Sequence, residues 1–545
     1  MNRVYRKTLG LLFLALFIGL ISSAINGYMS LLMRDLVDIS FKPGRVGFTE
    51  TALRMVIFAV ILFFIQTLLS LAKGYYRRKT NLNLKVHYLQ GVFHKNINEF
   101  NRESNAKYVS HITNDINTID MDYIDGIFEL SLAVITFLVT VIIVGGLSIE
   151  ILGIILLITV VMGVLSNALS KPVKKLFTER SALYEKYTGY ISEVLNAFRI
   201  IRVNNLYQRI ERNFRDRSTH LQEKSYHIEK TSTYIYAVQN FTINFTVLAV
   251  ISISVYYTIL GKLSFGGVIL ILNSFQSLIG PFQRASELFP KIVSSRNLFR
   301  TLDDSLSNQE VSRERISLDG FREEILLEGV SYAYGDNRVL EDVSLAIRKN
   351  GKYLIVGPSG GGKSTLLKLL RKYFSPVNGI IRVDGHDLSE ITKESFFRNI
   401  SNVEQNVFMF DDTLRNNLTL YRDVEEERLS RAISEAGLED FVRKLPSGLE
   451  SIIEDNGRNI SGGERSRIAI ARALLNQSEI LILDEAFQSL DYETAKAIER
   501  TILSLDHLTV LNVSHIIIEE NRNLYDQLLY VDNRKVSARK IQAAT

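Results

Sequence analysis

Gly357-Pro-Ser359-Gly360-Gly361-Gly362-Lys363-Ser364-Thr365 lies between an apolar run, Lys352-Tyr-Leu-Ile-Val356, and a leucine-rich one, Thr365-Leu-Leu-Lys-Leu-Leu-Arg-Lys-Tyr-Phe374. Its spacing fits G-x-x-x-x-G-K-[ST], a phosphate-binding loop. Glycines at 357, 360, 361 and 362 let successive N–H groups close around an oxyanion chain, because no Cβ blocks the approach. Lys363 adds a point charge for the β- and γ-phosphates, and the Ser364 hydroxyl is a ligand for Mg²⁺. The flanking runs predict a buried strand before the loop and a helix after it. The phosphate then sits at a helix N-terminus, where the dipole favours anions.

Around this loop the chain is long and uneven. At 545 residues it has room for two or more domains. Its 46% apolar content and mean hydropathy of +0.09 are high for a soluble enzyme, and the apolar residues concentrate before about residue 290. With no cysteine, disulfides, thiolate metal sites and cysteine-protease chemistry are excluded. The net charge of +5 is small for this length. Basic residues gather beside apolar runs, which argues for membrane anchoring and against a nucleic-acid partner.

The N-terminal half reads as six membrane spans. A basic leader, Met1 to Lys7, precedes an apolar run from Leu9 to Met33. That run exceeds the ~7–15 residues of a signal-peptide core and suits a tilted span of ~20 residues. Five more follow at about 52–72, 127–147, 150–170, 235–260 and 265–283, none with a charge near its middle. Arg3, Arg6 and Lys7, then Lys73, Arg77, Arg78 and Lys79, then Lys171, Lys174 and Lys175 mark the cytoplasmic side. The outer group Arg34, Lys42, Arg45 and Arg54 weakens this asymmetry without reversing it. Outer connections, Gly145 to Ile151 and Gly261 to Gly267, leave room only for turns. The inner ones, about 73–126 and 171–234, are long and helix-patterned, so they are expected to carry the span helices into the cytoplasm and reverse through short transverse pieces. The piece near Asn105–His111 is expected to meet a cytoplasmic domain close to Gln405. Polar groups on the spans, Gln66, Asn240, Asn244, Asn273 and Gln276, are candidates to line a cavity or to bond between helices.

Beyond a polar stretch at 300–323, read as a linker, strands and helices alternate from Ile325. Ile480-Leu-Ile-Leu-Asp-Glu485 ends a buried strand in two carboxylates: Asp484 for the Mg²⁺ shell, Glu485 to orient or deprotonate an attacking water. Gln405 can join metal and water through its amide, and His515, just past another strand, can donate to the γ-phosphate. Ser461-Gly462-Gly463 offers a hydroxyl and bare amides at a second helix start. Two anion-binding helix ends with one nucleotide loop require a second copy of the chain to complete each site.

At these residues the chain resembles the ABC transporters, specifically half-size exporters with a fused membrane domain, over nearly its whole length. The resemblance implies a six-helix, all-α transmembrane domain at 1–299, the linker at 300–323 and an α/β P-loop ATPase domain at 324–545. It also implies that Tyr334 stacks on the adenine of ATP, that Ser461 to Glu464 is the signature, and that Asp491 belongs to the loop Ser489-Leu-Asp491. ATP and Mg²⁺ are the implied cofactors, and hydrolysis drives alternating access in a homodimer surrounded by lipid. Ile460 and Glu464 stand where Leu and Gln are commoner, and Glu454-Asp-Asn-Gly-Arg-Asn459 also departs from the family pattern. The expected setting is multi-pass in a bacterial cytoplasmic membrane. A neutral cavity suits a small amphipathic cargo: a peptide is the first expectation, a drug or lipid the second. A third alternative is an ATP-gated regulator on the same scaffold.

Overall fold

A computed structural model of the chain describes residues 2–41, 47–308, 313–515 and 517–541. Two compact units emerge: Met1–Lys95 with Glu103–Ser307, and Asn96–Arg102 with Asn308–Thr545.

The first unit is helical. Its long helices are Leu9–Ser40, Phe48–Phe93, Asp125–Gly145, Ile149–Asn196, Tyr207–Ile259 and Phe265–Leu306. Among the described residues, four helical runs are long and apolar enough to cross a membrane, and Ile149–Ile158 and Phe265–Pro281 are shorter apolar stretches. The third run starts at Asn105 and passes through two π-helical turns, His111–Asp115 and Ile119–Ile124. The expected outer turns are capped by serine: Ser148 Oγ accepts from Ile151 N (3.3 Å) and Ser264 Oγ from Gly267 N (3.1 Å). At Gly266 a Cβ would fall 2.1 Å from Arg34 O, so only glycine permits that approach. Val144, Ile151, Ile155, Val250, Leu270 and Leu278 bury one apolar cluster. Lys73 pairs with Asp125 (2.8 Å) and Glu129 (2.6 Å), and Arg77 with Asp120 (3.1 Å). Two of the cations read as membrane flanks are thus neutralised inside the bundle.

Two expectations change here. Residues 300–306 are not linker but the end of the helix Phe265–Leu306, because Phe299 and Leu302, three apart, are buried at 1% and 0% exposure. The transverse piece is also misplaced by the sequence reading. Asn105–Ser110 belongs to the helical unit, whereas Asn96–Arg102, with its single-turn helix Ile97–Phe100, groups with the second unit. Asn98 and Glu99 are buried polar groups, which holds that turn against partners rather than solvent. Lys393 Nζ donates to Asn96 Oδ1, and Glu314 bridges Lys372 (3.1 Å) and Lys393 (3.6 Å).

The second unit is α/β. Its strands are β1 (Glu324–Tyr334), β2 (Asn337–Arg348), β3 (Lys352–Val356), β4 (Asn378–Val383), β5 (His386–Asp387) and β6 (Ile400–Val403). They continue with β7 (Asp412–Thr413), β8 (Ile452–Ile453), β9 (Ile480–Asp484), β10 (Thr509–Val513), β11 (Gln527–Asp532) and β12 (Lys535–Lys540). One antiparallel sheet has the order β2-β1-β4-β5, and the main sheet has the order β12-β11-β3-β10-β9-β6. From β11 to β6 the main sheet is parallel. Side chains alternate across it: Leu354, Leu481 and Leu483 enter one core, Ile355, Ile480 and Ile482 the other. Burial on both faces explains why β3 and β9 read as nearly unbroken apolar runs.

Candidate nucleotide site

Four neighbouring parallel strands place the candidate groups along one edge. β3 runs into the phosphate loop, β6 ends two residues before Gln405, β9 ends at Asp484, and β10 ends two residues before His515. The register aligns these ends: Val513 is level with Ile355 and with Asp484, and Leu483 with Val403. Groups more than a hundred residues apart in sequence converge because ligand sites in open α/β sheets form at the carboxyl ends of strands.

The loop is built tightly. Gly357 has φ +155°, and a Cβ there would lie 2.1 Å from Val531 O. Gly362, at φ +110°, starts the helix Lys363–Leu370. Lys363 is buried, and its Nζ donates to the carbonyls of Gly357 (2.8 Å) and Pro358 (3.0 Å). Ser359, Gly360 and Ser364 are exposed, Gly361 is half-buried, and Thr365 is buried.

Glu485 is the hub. Its backbone adopts φ +51°, a strained conformation for a residue with a Cβ. Its N–H donates to Val513 O (2.9 Å), tying it to β10. Gln405 Nε2 donates to Glu485 Oε2 (2.8 Å), and His515 Nε2 lies 3.0 Å from Oε1. Asp484 sits beside Arg371 (3.5 Å), which is almost fully buried. Burial raises the Asp484 carboxyl above the ordinary range, and Arg371 opposes that shift. The sequence reading missed Arg371: it ends a leucine-rich helix and belongs to no motif quoted above.

Tyr334 is 44% exposed and stands edge-on to Tyr332 (5.2 Å) and Phe374 (5.7 Å), which stack on each other at 5.0 Å. Sequence reading singled out only the first of these rings. The Tyr332-Ala-Tyr334 alternation on one strand face was the available signal.

Ser461 caps the helix Gly462–Leu475. Its Oγ accepts from Glu464 N (3.3 Å), and Glu464 Oε2 accepts from Ser461 N (2.7 Å). This capping box gives the unusual Glu464 a local role. Cβ atoms added at Gly462 or Gly463 would meet Ser489 at 3.4 and 3.1 Å. Asp491 caps the helix Tyr492–Leu503 by accepting from Thr494 N (3.0 Å).

The donor set suits Mg²⁺. Ser364 offers an exposed hydroxyl, Asp484 keeps Oδ1 while Oδ2 faces Arg371, and Gln405 keeps Oε1 while its nitrogen serves Glu485. These are hard oxygen donors with few carboxylates, the pattern for Mg²⁺ shared with phosphates.

The ABC transporter transmembrane region matches residues 12–282 and the ABC transporter family matches residues 340–488. The chain therefore belongs to the ABC transporters, with a membrane domain fused ahead of one ATPase domain. Within them it is an ATP-driven half-size exporter and a multi-pass membrane protein, binding ATP and coupling its hydrolysis to transport. Half-size exporters of this family work as dimers and contact lipid. A Bacillus subtilis (strain 168) protein provisionally named multidrug export ATP-binding/permease protein YgaD is 24% identical over 96% of this chain and 94% of its own. The ATP-dependent lipid A-core flippase of Burkholderia pseudomallei (strain 1710b) is 24% identical over 93% of this chain and 86% of its own. A solved bacterial Atm1-family ABC exporter with ATP bound has the same fold, with TM-score 0.80 at 20% identity over 98% of this chain and 95% of that one.

Proposed function

We propose that two identical copies of this chain, in a bacterial cytoplasmic membrane, export a small amphipathic molecule of the drug or lipid kind. The observation that carries this is the exposure of Gln66, Asn240, Asn244, Asn273 and Gln276 on apolar helices, beside the exposed rings Phe241 and Phe245. An amide in hydrocarbon without a partner costs several kcal/mol, so these faces belong to a water-accessible cavity or to a second copy. Mixed amide and aromatic walls suit an uncharged amphipathic cargo. The names of the two relatives, one for multidrug export and one for a lipid A-core flippase, support the same class. The expected peptide has no comparable support.

In the proposed site, Tyr334 faces the adenine, Gly357 to Thr365 surround the phosphates, and Ser364, Asp484 and Gln405 hold Mg²⁺. The metal neutralises charge on the phosphates when bound. Glu485 aligns water for in-line attack, with Gln405 and His515 holding its carboxylate in place. His515 donates to the γ-phosphate. Ser461 to Gly463 and Asp491 of a second copy close the site from the other side.

Transport assays in proteoliposomes test the cargo, using an uncharged amphipathic dye, a fluorescent phospholipid and a cyclic peptide in parallel. Dye export or lipid flipping, with stimulated ATP hydrolysis, is the expected result. Stimulation by the peptide alone would return the assignment to peptide export, and ATPase activity without any transport would favour a regulator. Assembly has its own test: the purified chain alone should hydrolyse ATP. A chain that is inactive until a different half-transporter is added would overturn the homodimer.

Coupling is expected to run through Asn96–Arg102. Lys393→Ala removes the charge-assisted hydrogen bond to Asn96 and should lower transport per ATP about 5-fold, the worth of roughly 1 kcal/mol. Nucleotide binding should be unchanged. Loss of binding in a folded variant would count against this role.

A further inference from the structure

A cavity of about 170 Å³ is lined by Glu485 and His515 together with Tyr492, Glu499, Ser514 and Ile518. Glu499 belongs to the helix Tyr492–Leu503 and is only 3% exposed. Its Oε1 accepts from Asn512 Nδ2 (3.0 Å) and from the Tyr525 hydroxyl (2.6 Å), and its Oε2 accepts from Asn521 Nδ2 (2.9 Å). Asn512 Nδ2 also donates to Tyr525 Oη (2.6 Å), and Asn521 Nδ2 to Lys496 O (2.9 Å). All three donors are buried: Asn512 at 0%, Asn521 at 1% and Tyr525 at 3% exposure. Among the described residues no cation pairs with this carboxylate, and burial raises its pKa against the pull of the three donors. Such an acid is costly to keep in a core, where apolar residues often serve as well or better.

The placement of the donors shows what the network holds. Asn512 is on β10, three residues before His515, while Asn521 and Tyr525 follow it by six and ten residues. One carboxylate on one helix therefore grips both flanks of the loop that carries His515. The His515 side chain is itself 41% exposed, so packing leaves it loose, and its position depends on the backbone beneath it. Its Nε2 nonetheless lies 3.0 Å from Glu485 Oε1.

We propose that Glu499 is a positioning residue, which keeps the His515 loop in register with the Glu485 carboxylate by clamping Asn512, Asn521 and Tyr525. The proposal rests on the reading of His515 as a donor to the γ-phosphate.

The test uses the purified full-length chain in lipid nanodiscs. Glu499→Gln puts an NH₂ where one carboxylate oxygen stood, against one or two of the three donors, and should lower kcat about 10-fold with less than a twofold change in KM for ATP, since small misplacements near reacting groups cost up to 10²-fold. Asn521→Ala, which frees one flank only, should move in the same direction by a smaller factor. The double variant Glu499→Gln/Asn512→Asp returns a carboxylate to the cluster from the strand side and should recover much of the turnover. In a cycle with His515→Ala, adding Glu499→Gln should cost nothing further, because the two act through one group. The proposal is overturned if Glu499→Gln multiplies the residual rate loss of His515→Ala, if KM rises in step with the fall in kcat, or if both single variants turn over at the parental rate. Should Glu499→Gln fail to fold, Asn521→Ala takes its place in the cycle and decides by the same criteria. Parental turnover in His515→Ala alone would instead remove the reading of His515, and is seen before Glu499 is touched.

Discussion

Glu485→Gln should lower steady-state ATP hydrolysis about 10²–10⁴-fold, the usual worth of general-base assistance, while ATP binding stays near parental. The carboxylate lies between Gln405 Nε2 and His515 Nε2, and each of its oxygens faces one nitrogen. An amide at this position cannot take a proton from water, and its own NH₂ would confront one of those nitrogens. In the proposed site, nucleotide affinity rests on other groups, chiefly the loop at 357–365 and Tyr334. The variant should therefore accumulate as a closed, ATP-bound pair. Equilibrium nucleotide binding and phosphate release, measured side by side, check this. A near-parental rate would show that Glu485 is not the carboxylate that activates water.

Lys363→Ala should act at the opposite end of the cycle, weakening ATP binding about 10- to 10²-fold, as expected for losing a charge-assisted hydrogen bond worth 1.5–3 kcal/mol. Lys363 Nζ is already held by the carbonyls of Gly357 and Pro358, so the loop positions the ammonium before phosphate arrives. Removing it also takes that donor from the Gly357 carbonyl, while Pro358 O keeps Gly361 N (3.1 Å). The variant should stay nucleotide-free and inward-facing. Titration with a fluorescent ATP analogue reads the affinity, and unchanged binding would contradict the assignment.

The groups that ended as neighbours were legible where each followed a short, continuous apolar run. Tyr353 to Val356 and Ile480 to Leu483 are parallel strands buried on both faces, so the glycine or polar residue that ends each run marks the carboxyl edge of the sheet. The phosphate loop carries its geometry in its glycines. Arg371 and Glu499 were not legible, because the partner of the first lies 113 residues away at Asp484 and those of the second lie on both flanks of the loop after β10. Neither sits in a local pattern. The turn Ile97–Phe100 is four residues long, too short to show a period, and its buried Asn98 and Glu99 look like surface in sequence. The end of the last span was hidden by composition: Asp303, Asp304 and Ser305 suggest a linker, while Phe299 and Leu302 keep the helical spacing beneath them. Cargo is the least legible property, since amides on apolar helices serve packing and binding equally well.

The helix Tyr207–Ile259 runs unbroken for 53 residues, and its apolar part is the C-terminal portion. The residues ahead of that part extend about 40 Å at 1.5 Å per residue. In mechanical terms this is a lever arm with its fulcrum inside the bilayer. A tilt of about 6° around the centre of a ~30 Å hydrocarbon layer carries the far tip by about 6 Å, roughly one helical turn. Rearrangements within the spans too small to unpack a side chain are thereby converted into displacements comparable to the spacing between neighbouring side-chain ridges.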